Sequence, residues 1–283
     1  MTGKNNGVDS PQENATMDAQ KLSDFLENQF NSDIRAFVVD ECESTNTLAA
    51  EMSEKKEMPF AVAARRQTRG RGRMSRSWFS EEGASICMSI AADMSGKPAQ
   101  LLESATVRCG VAVCAALNEM CAEKAMLKWP NDIYTPDGAK IAGMLAELLP
   151  NKNGYKIIFG IGINYNLSKT TPPRGLSVAP ADIFPRLSPD AAERGIEYVA
   201  AAAADAMARE LAADSTSSLA RFGEFDYLYN SPVKAACGAR KITGTAVGIN
   251  ASGNLLISAE NGTTTALNSG EAFSVRQNAE PHG

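Results

Sequence analysis

Apolar residues recur along this chain in two rhythms, one near 3.6 and one near 2, and each sorts a stretch into helix or strand. Three-to-four spacing over 101–121 predicts a long helix with one apolar stripe. The alanine-rich run 191–211 predicts another, 218–229 a shorter one, and 21–30 can form a further short helix. Leu48, Ala49 and Met52 fall at helical spacing behind Ser44, a capping residue type, so a helix is expected from there to Met52. Apolar runs at 36–39, 60–64 and 84–92 read as strands. The stretch 126–129 and the pair Ile133-Tyr134 flank Pro130-Asn131-Asp132, a turn signal. Runs 140–149 and 155–164 pair across a turn at 151–154, and proline-rich 172–189 reads as loop. The fold class is α/β (α+β), a mixed sheet with flanking helices.

The pattern changes near residue 230. Short β-type runs at 246–250, 255–259 and 263–267 are split by Ser252-Gly253-Asn254 and Asn261-Gly262, which suggests a small β-barrel. The expected organisation is a polar extension over 1–35, disordered through about residue 20, a main domain over 36–229 and a small β domain over 230–279.

Composition narrows the chemistry. With 28 basic and 33 acidic residues the net charge is -5, a poor starting point for general nucleic-acid binding. The polar start is no signal peptide, and no stretch reads as a membrane helix, so a cytoplasmic protein is expected. The one histidine, His282, and six cysteines without a C-x-x-C leave no basis for a zinc site or a histidine base. The cysteines read as small buried hydrophobes.

One segment departs from the ordinary mix of charges. Arg65, Arg66, Arg69, Arg71, Arg73 and Arg76 place six guanidinium groups in twelve residues with no acid among them, interrupted by Gly70 and Gly72. Glycine lets backbone approach a ligand closely, and arginine forks match phosphate and carboxylate oxygens. The segment reads as a loop closing over an anion, or alternatively as an RNA-binding arginine–glycine run. No phosphate-binding G-x-x-x-x-G-K-[ST] occurs.

Lys128-Trp129-Pro130-Asn131-Asp132, followed by Lys140-Ile141-Ala142-Gly143, favours the first alternative, because it resembles the segment that biotin–protein ligases carry after their arginine–glycine loop. Ser44-Thr45-Asn46 upstream, Gly160-Ile161-Gly162-Ile163-Asn164 downstream and Ser231-Pro232-Val233 resemble further family segments in the family's order, over about residues 36 to 279. The resemblance implies activation of biotin with ATP to biotinyl-AMP and transfer to one lysine of a biotin carboxyl carrier domain. It also implies a catalytic fold like that of class II aminoacyl-tRNA synthetases and an SH3-like C-terminal barrel. It assigns Ser44, Thr45, Asn46, Gln67, Gly70, Arg71, Gly72, Arg73, Trp78, Lys140 and Gly143 to biotin. Arg73, Trp78, Lys128, Asn131, Lys140 and Asn164 fall to ATP, and Arg71, Arg73, Asp132 and Lys140 to catalysis. Asn131 and Asp132 supply oxygens of the type Mg²⁺ accepts. Gly270-Glu271 and Arg276 match a family segment near the nucleotide. Ser75 stands where the family has a third loop glycine, which bears on how this loop closes and retains the intermediate. A lipoate–protein ligase is the rival enzyme. Some relatives carry a winged helix-turn-helix for DNA; the polar residues before 36 are too few for one, so no DNA partner is expected. A homodimer remains open.

Overall fold

The structure, a computed structural model, describes residues 16–237 and 240–274. Its centre is a seven-stranded mixed sheet. In chain order the strands are β1 (Arg35–Cys42), β2 (Phe60–Gln67), β3 (Ser85–Asp93), β4 (Met126–Lys128), β5 (Asp132–Tyr134), β6 (Lys140–Asn151) and β7 (Gly154–Asn164). They lie in the order β1-β2-β3-β7-β6-β5-β4, with β1 and β2 parallel and every other pair antiparallel. Strand period sorts β7 cleanly: Ile157, Phe159, Ile161 and Ile163 enter the main core, while Gly160 and Gly162 face the other way.

The main-core face is covered by α3 (Ala99–Met120) and α5 (Ile196–Ala212), and the second face carries the short helix α2 (Thr45–Met52) over Phe60, Val62, Ala91 and Ile158. That short cover leaves room for a site. The helix expected over 191–211 is two: α4 (Pro189–Arg194) and α5, because Gly195 at φ 85° takes a conformation that breaks a helix and that glycine tolerates. The helix expected over 218–229 is a 3₁₀ turn, Ser217–Arg221, followed by the single turn α6 (Phe222–Phe225). Within the polar N-terminal stretch, Met17, Leu22 and Leu26 are buried in the core, and Phe25 and Phe30 stack around Tyr198 of α5. Leu22 belongs to α1 (Ala19–Asp24), capped by the Asp18 carboxylate, and Phe25 and Leu26 to the π-turn Phe25–Gln29 after it, with Met17 just before and Phe30 just after the two.

α3 is long and apolar enough to cross a membrane by length and composition, contrary to the expectation that no stretch would be. It is mostly buried in the fold, and its Arg108, fully buried, donates to the carbonyls of Leu101 and Glu210 and pairs with the Glu210 carboxylate at 3.2 Å. Burial pushes the Cys109 and Cys114 thiols on this helix upward, in keeping with cysteines that serve as packing.

A separate antiparallel sheet follows, β8 (Pro232–Cys237), β9 (Arg240–Ile249), β10 (Leu255–Ser258), β11 (Thr264–Leu267) and β12 (Glu271–Ser274), in the order β11-β10-β9-β8-β12. Two of its strands, β8 and β12, escaped the sequence pattern, since Ala235, Ala236 and Ala272 carry little strand signal.

At the junction of the two sheets Asp226 is buried, and burial outweighs the N–H groups of Leu228 and Tyr229 to push its carboxyl up to about 6. The folded state therefore binds this proton more tightly than the unfolded chain, whose aspartate titrates at its ordinary value. Stability from the group is complete below about pH 4 and is lost as pH rises through about 6, on the order of 3 kcal/mol in all. Asp226→Asn is expected to raise Tm at pH 8 and to lose that gain by pH 4. Thermal unfolding across this range checks it, and a gain independent of pH would refute the assignment.

Candidate functional site

The site is built on a trough in the second face of the main sheet. Across one row Cys87, Gly162, Gly143 and Asp132 are successive cross-strand neighbours; in the next, Ser89, Gly160 and Leu145 are. Side chains from outside occupy the space the glycines leave. A Cβ at Gly162 would lie 2.3 Å from Trp78 Cε2, and one at Gly160 would lie 2.1 Å from Asn46 Oδ1. These glycines are required by close approach, not by backbone angle.

Two clefts meet above the trough. The inner one, about 700 Å³, is lined by Ser44, Thr45, Asn46, Gln67, Arg71, Gly72, Arg73, Trp78, Asn131, Asp132, Lys140 and Gly143, together with Leu145, Gly160 and Gly162. The outer one, about 980 Å³, shares Arg73, Arg76, Ser77, Trp78, Asn131, Asp132 and Lys140 with it and adds Lys128, Asn164 and the segment from Pro172 to Pro180. The Trp78 ring stands where they join.

The start of α2 organises the inner end. The Thr45 N–H and hydroxyl donate to Gln67 Oε1 at 2.8 and 3.2 Å, and Ser89 Oγ lies within 2.8 Å of both Thr45 Oγ1 and Asn46 Oδ1. Ser44, Thr45 and Asn46 are all buried, and the hydrogen bonds of Thr45 and Asn46 hold their polar groups in place at the cleft wall. Beneath them the Cys87 thiol is pushed up to about 11 by burial, which removes it as a nucleophile.

Charge collects where the clefts meet. Lys140 Nζ lies 2.8 Å from Asp132 Oδ1 and 5.5 Å from the centre of the Trp78 ring. Arg73 donates to Asn131 Oδ1 at 2.9 Å and to the Gly270 carbonyl of the second sheet at 3.1 Å. Asn164 is held by the carbonyls of Lys140 and Ala181, and Lys128 is buried against the Tyr134 ring. Among the described residues no group of three or more His, Cys, Asp or Glu could hold a metal. Asn131 and Asp132 offer two side-chain oxygens that already face cationic side chains. A Mg²⁺ fits here only if nucleotide phosphates and water supply the rest of its shell.

The loop itself corrects the picture of an unneutralised basic run. Parallel pairing of β1 with β2 sets Asp40, Glu41 and Glu43 beside Arg65, Arg66 and Arg69, and each pair forms a salt bridge. Half of the six arginines thus serve the sheet edge, and Arg71, Arg73 and Arg76 turn to the clefts. That division weighs against an RNA-binding tail. Met74 and Ser75 sit at φ 54° and 59°, so the position where the family has glycine adopts the left-handed conformation that glycine favours.

Of the residues assigned from sequence, Gly70 alone lines neither cleft. It lies under the loop, where its carbonyl accepts from the Trp78 N–H at 2.8 Å and a Cβ would meet the Trp78 carbonyl at 2.4 Å. Sequence reasoning missed Ser89, Glu147, Leu145 and the wall from Pro172 to Pro180. Ser89 and Glu147 were findable as polar residues inside otherwise apolar strand runs. Arg276 lies outside the described residues.

A glycine-floored double cleft, polar at one end and cationic at its waist, under an arginine loop, has the chemistry to hold a ligand that is polar at one end and anionic at the other. Comparison with known proteins gives the class a family. The Biotin/lipoate A/B protein ligase family model matches residues 38–164, and the Biotin protein ligase C terminal domain model matches residues 229–274. The chain is 31% identical over 207 residues to the bifunctional ligase/repressor BirA of Escherichia coli, covering 70% of this chain and 61% of that one. It is 37% identical over 134 residues to the BirA of Bacillus subtilis, covering 47% and 39%. The chain thus spans less than two thirds of the length of these curated relatives. Among solved structures, the biotin protein ligase from Aquifex aeolicus in complex with biotin and ATP aligns with TM-score 0.64 and 26% identity, over 84% of this chain and 97% of that one. Residues 38–164 thus carry a domain of the biotin/lipoate A/B protein ligase family, and residues 229–274 carry a biotin protein ligase C-terminal domain.

Proposed function

We propose that this protein is a biotin–protein ligase: it activates biotin with ATP to biotinyl-5′-AMP and transfers the biotinyl group to a lysine of a biotin carboxyl carrier domain. The observation that carries the reading is the joined pair of clefts, with Lys140, Arg73 and Trp78 belonging to both. Thr45, Asn46 and Gln67 suit the ureido ring of biotin in the inner cleft, and the outer cleft suits the nucleotide.

In the first step a biotin carboxylate oxygen attacks the α-phosphorus and pyrophosphate leaves. Negative charge grows on the phosphoryl oxygens at the waist, where Arg73 and Lys140 stabilise it. Mg²⁺, carried on the nucleotide, supplies further charge neutralisation when bound. In the second step the acceptor amine attacks the biotinyl carbonyl, a C–N bond forms, AMP leaves, and the amine gives up a proton. Asp132 is our candidate to orient or deprotonate that amine. Asp132→Asn is expected to slow transfer from preformed biotinyl-AMP by about 10²-fold. Normal single-turnover transfer by the variant would end that assignment. The loop carrying Arg71 to Arg76 acts as the lid that keeps water from the mixed anhydride.

The direct test is to incubate the protein with biotin, Mg-ATP and a carrier domain and weigh the acceptor; a lysine-localised gain of one biotinyl group is expected. The family also includes lipoate ligases, and thermal shift separates the two readings. Biotin should raise Tm and lipoate should leave it unchanged. We further read the main sheet as the class II synthetase type, the second sheet as an SH3-like barrel, and the protein as cytoplasmic without a DNA or membrane partner.

A further inference from the structure

The polar contacts of the inner cleft converge on a side chain outside every motif. Glu147 of β6 accepts both terminal N–H groups of Arg71, at 3.0 and 2.8 Å, and its Oε2 also accepts from Asn46 Nδ2 at 2.7 Å. Asn46 is thereby pinned at both ends. Its Nδ2 is engaged by Glu147 and the Leu145 carbonyl, its Oδ1 is engaged by Ser89, and Gly160 lies against it too closely for any Cβ.

Two consequences follow from the same carboxylate. The Asn46 amide has a fixed orientation, so the hydrogen-bonding pattern at this end of the cleft is preset. The Arg71 charge is also matched in place by a two-pronged carboxylate contact. The end holding Thr45, Asn46 and Gln67 is therefore polar yet close to neutral, whereas the waist holds Arg73 and Lys140. A ligand with a neutral hydrogen-bonding ring and an anionic tail can enter in only one direction.

We propose that Glu147 is a positioning and specificity-determining residue that makes the inner end select a neutral cyclic urea. It does so by fixing Asn46 and cancelling the charge of Arg71. The proposal rests on reading the inner cleft as the biotin site. Glu147→Gln keeps the shape and removes the charge. Calorimetric binding of biotin and of biotinol, its neutral-tailed alcohol, to wild type and E147Q tests it. E147Q is expected to weaken both ligands by about 10-fold and to the same factor, as befits loss of charge-assisted contacts at the ring end. The KM for ATP should stay within about twofold and Tm unchanged, and Glu147→Asp, which keeps the charge, should recover part of the loss. Unchanged binding, or a loss seen with biotin and not with biotinol, would overturn the proposal, since the second would place Glu147 at the carboxylate end. Failure of the wild type to bind biotin would instead bring down the reading of the cleft and the proposal with it.

Discussion

Replacing Lys140 with alanine is expected to slow biotinyl-AMP formation by about 10²–10³-fold, the usual cost of removing one preorganised group from developing transition-state charge. Lys140 lines both clefts and its ammonium is partly shielded from solvent, so its interactions there are less screened than on an open surface. The variant also leaves Asp132 without its 2.8 Å partner, and that side effect must be separated from the loss of charge stabilisation. Combining the substitution with D132N does this: if Lys140 acts on the phosphate, the adenylation defect persists in the double variant. Pyrophosphate release measured against ATP in single turnover is the readout. Lys140→Arg should rescue poorly, because a planar fork does not occupy the place of a compact ammonium held against the Trp78 ring. Near-normal adenylation by K140A would remove Lys140 from the mechanism.

Gly162→Ala should be nearly as damaging although it adds one methyl group. The new Cβ would fall 2.3 Å from Cε2 and 2.4 Å from Nε1 of Trp78, far inside contact distance, so the ring must leave the junction of the two clefts. Because that ring borders both compartments, kcat/KM should fall for biotin and for ATP together, by about 10²-fold, the scale of loss when reacting groups are displaced by an ångström. Gly223→Ala is the matching control. A Cβ there meets nothing within 4 Å, and activity should be unchanged. Selective loss of one substrate in G162A would show that Trp78 walls a single compartment.

The parts of the site that lie in short sequence segments were readable from the sequence. The spacing of Gln67, Arg71, Arg73 and Trp78 marks one loop, and Lys128 to Asp132 marks one turn, so their chemistry is stated locally. What stayed hidden depends on which strands become neighbours. Ser89 and Glu147 reach Asn46 only because β7 separates β3 from β6 and leaves glycines in between. The acids that neutralise Arg65, Arg66 and Arg69 come from β1 and the residue Glu43 just beyond it, about 25 residues upstream, through a parallel pairing that no local pattern announces. Pro172 to Pro180 reads as plain loop because its place in the outer wall comes from main-chain bonds, Lys140 N–H to Ala179 O and Ala181 N–H to Lys140 O, which side-chain identity does not encode. Gly195 was visible as a glycine, but the alanine-rich run around it favours a continuous helix until its positive φ is known.

The seam between the two sheets has one more property. Arg73 donates to the carbonyl of Gly270, Trp129 Nε1 to that of Gly253 at 2.9 Å, and Gln100 to that of Ala251 at 3.0 Å. In each case a loop, turn or helix of the larger unit supplies a side chain, and a turn of the C-terminal unit supplies a backbone carbonyl. At these three contacts the side-chain demand falls on Gln100, Trp129 and Arg73, while on the other side Gly253 and Gly270, at φ 78° and 115°, hold a backbone that favours glycine and Ala251 alone has no such constraint. Grafting a C-terminal unit from a distant relative onto this catalytic sheet should then depend on keeping the path of these turns and their glycines, together with the apolar side chains that the two sheets share in one buried core.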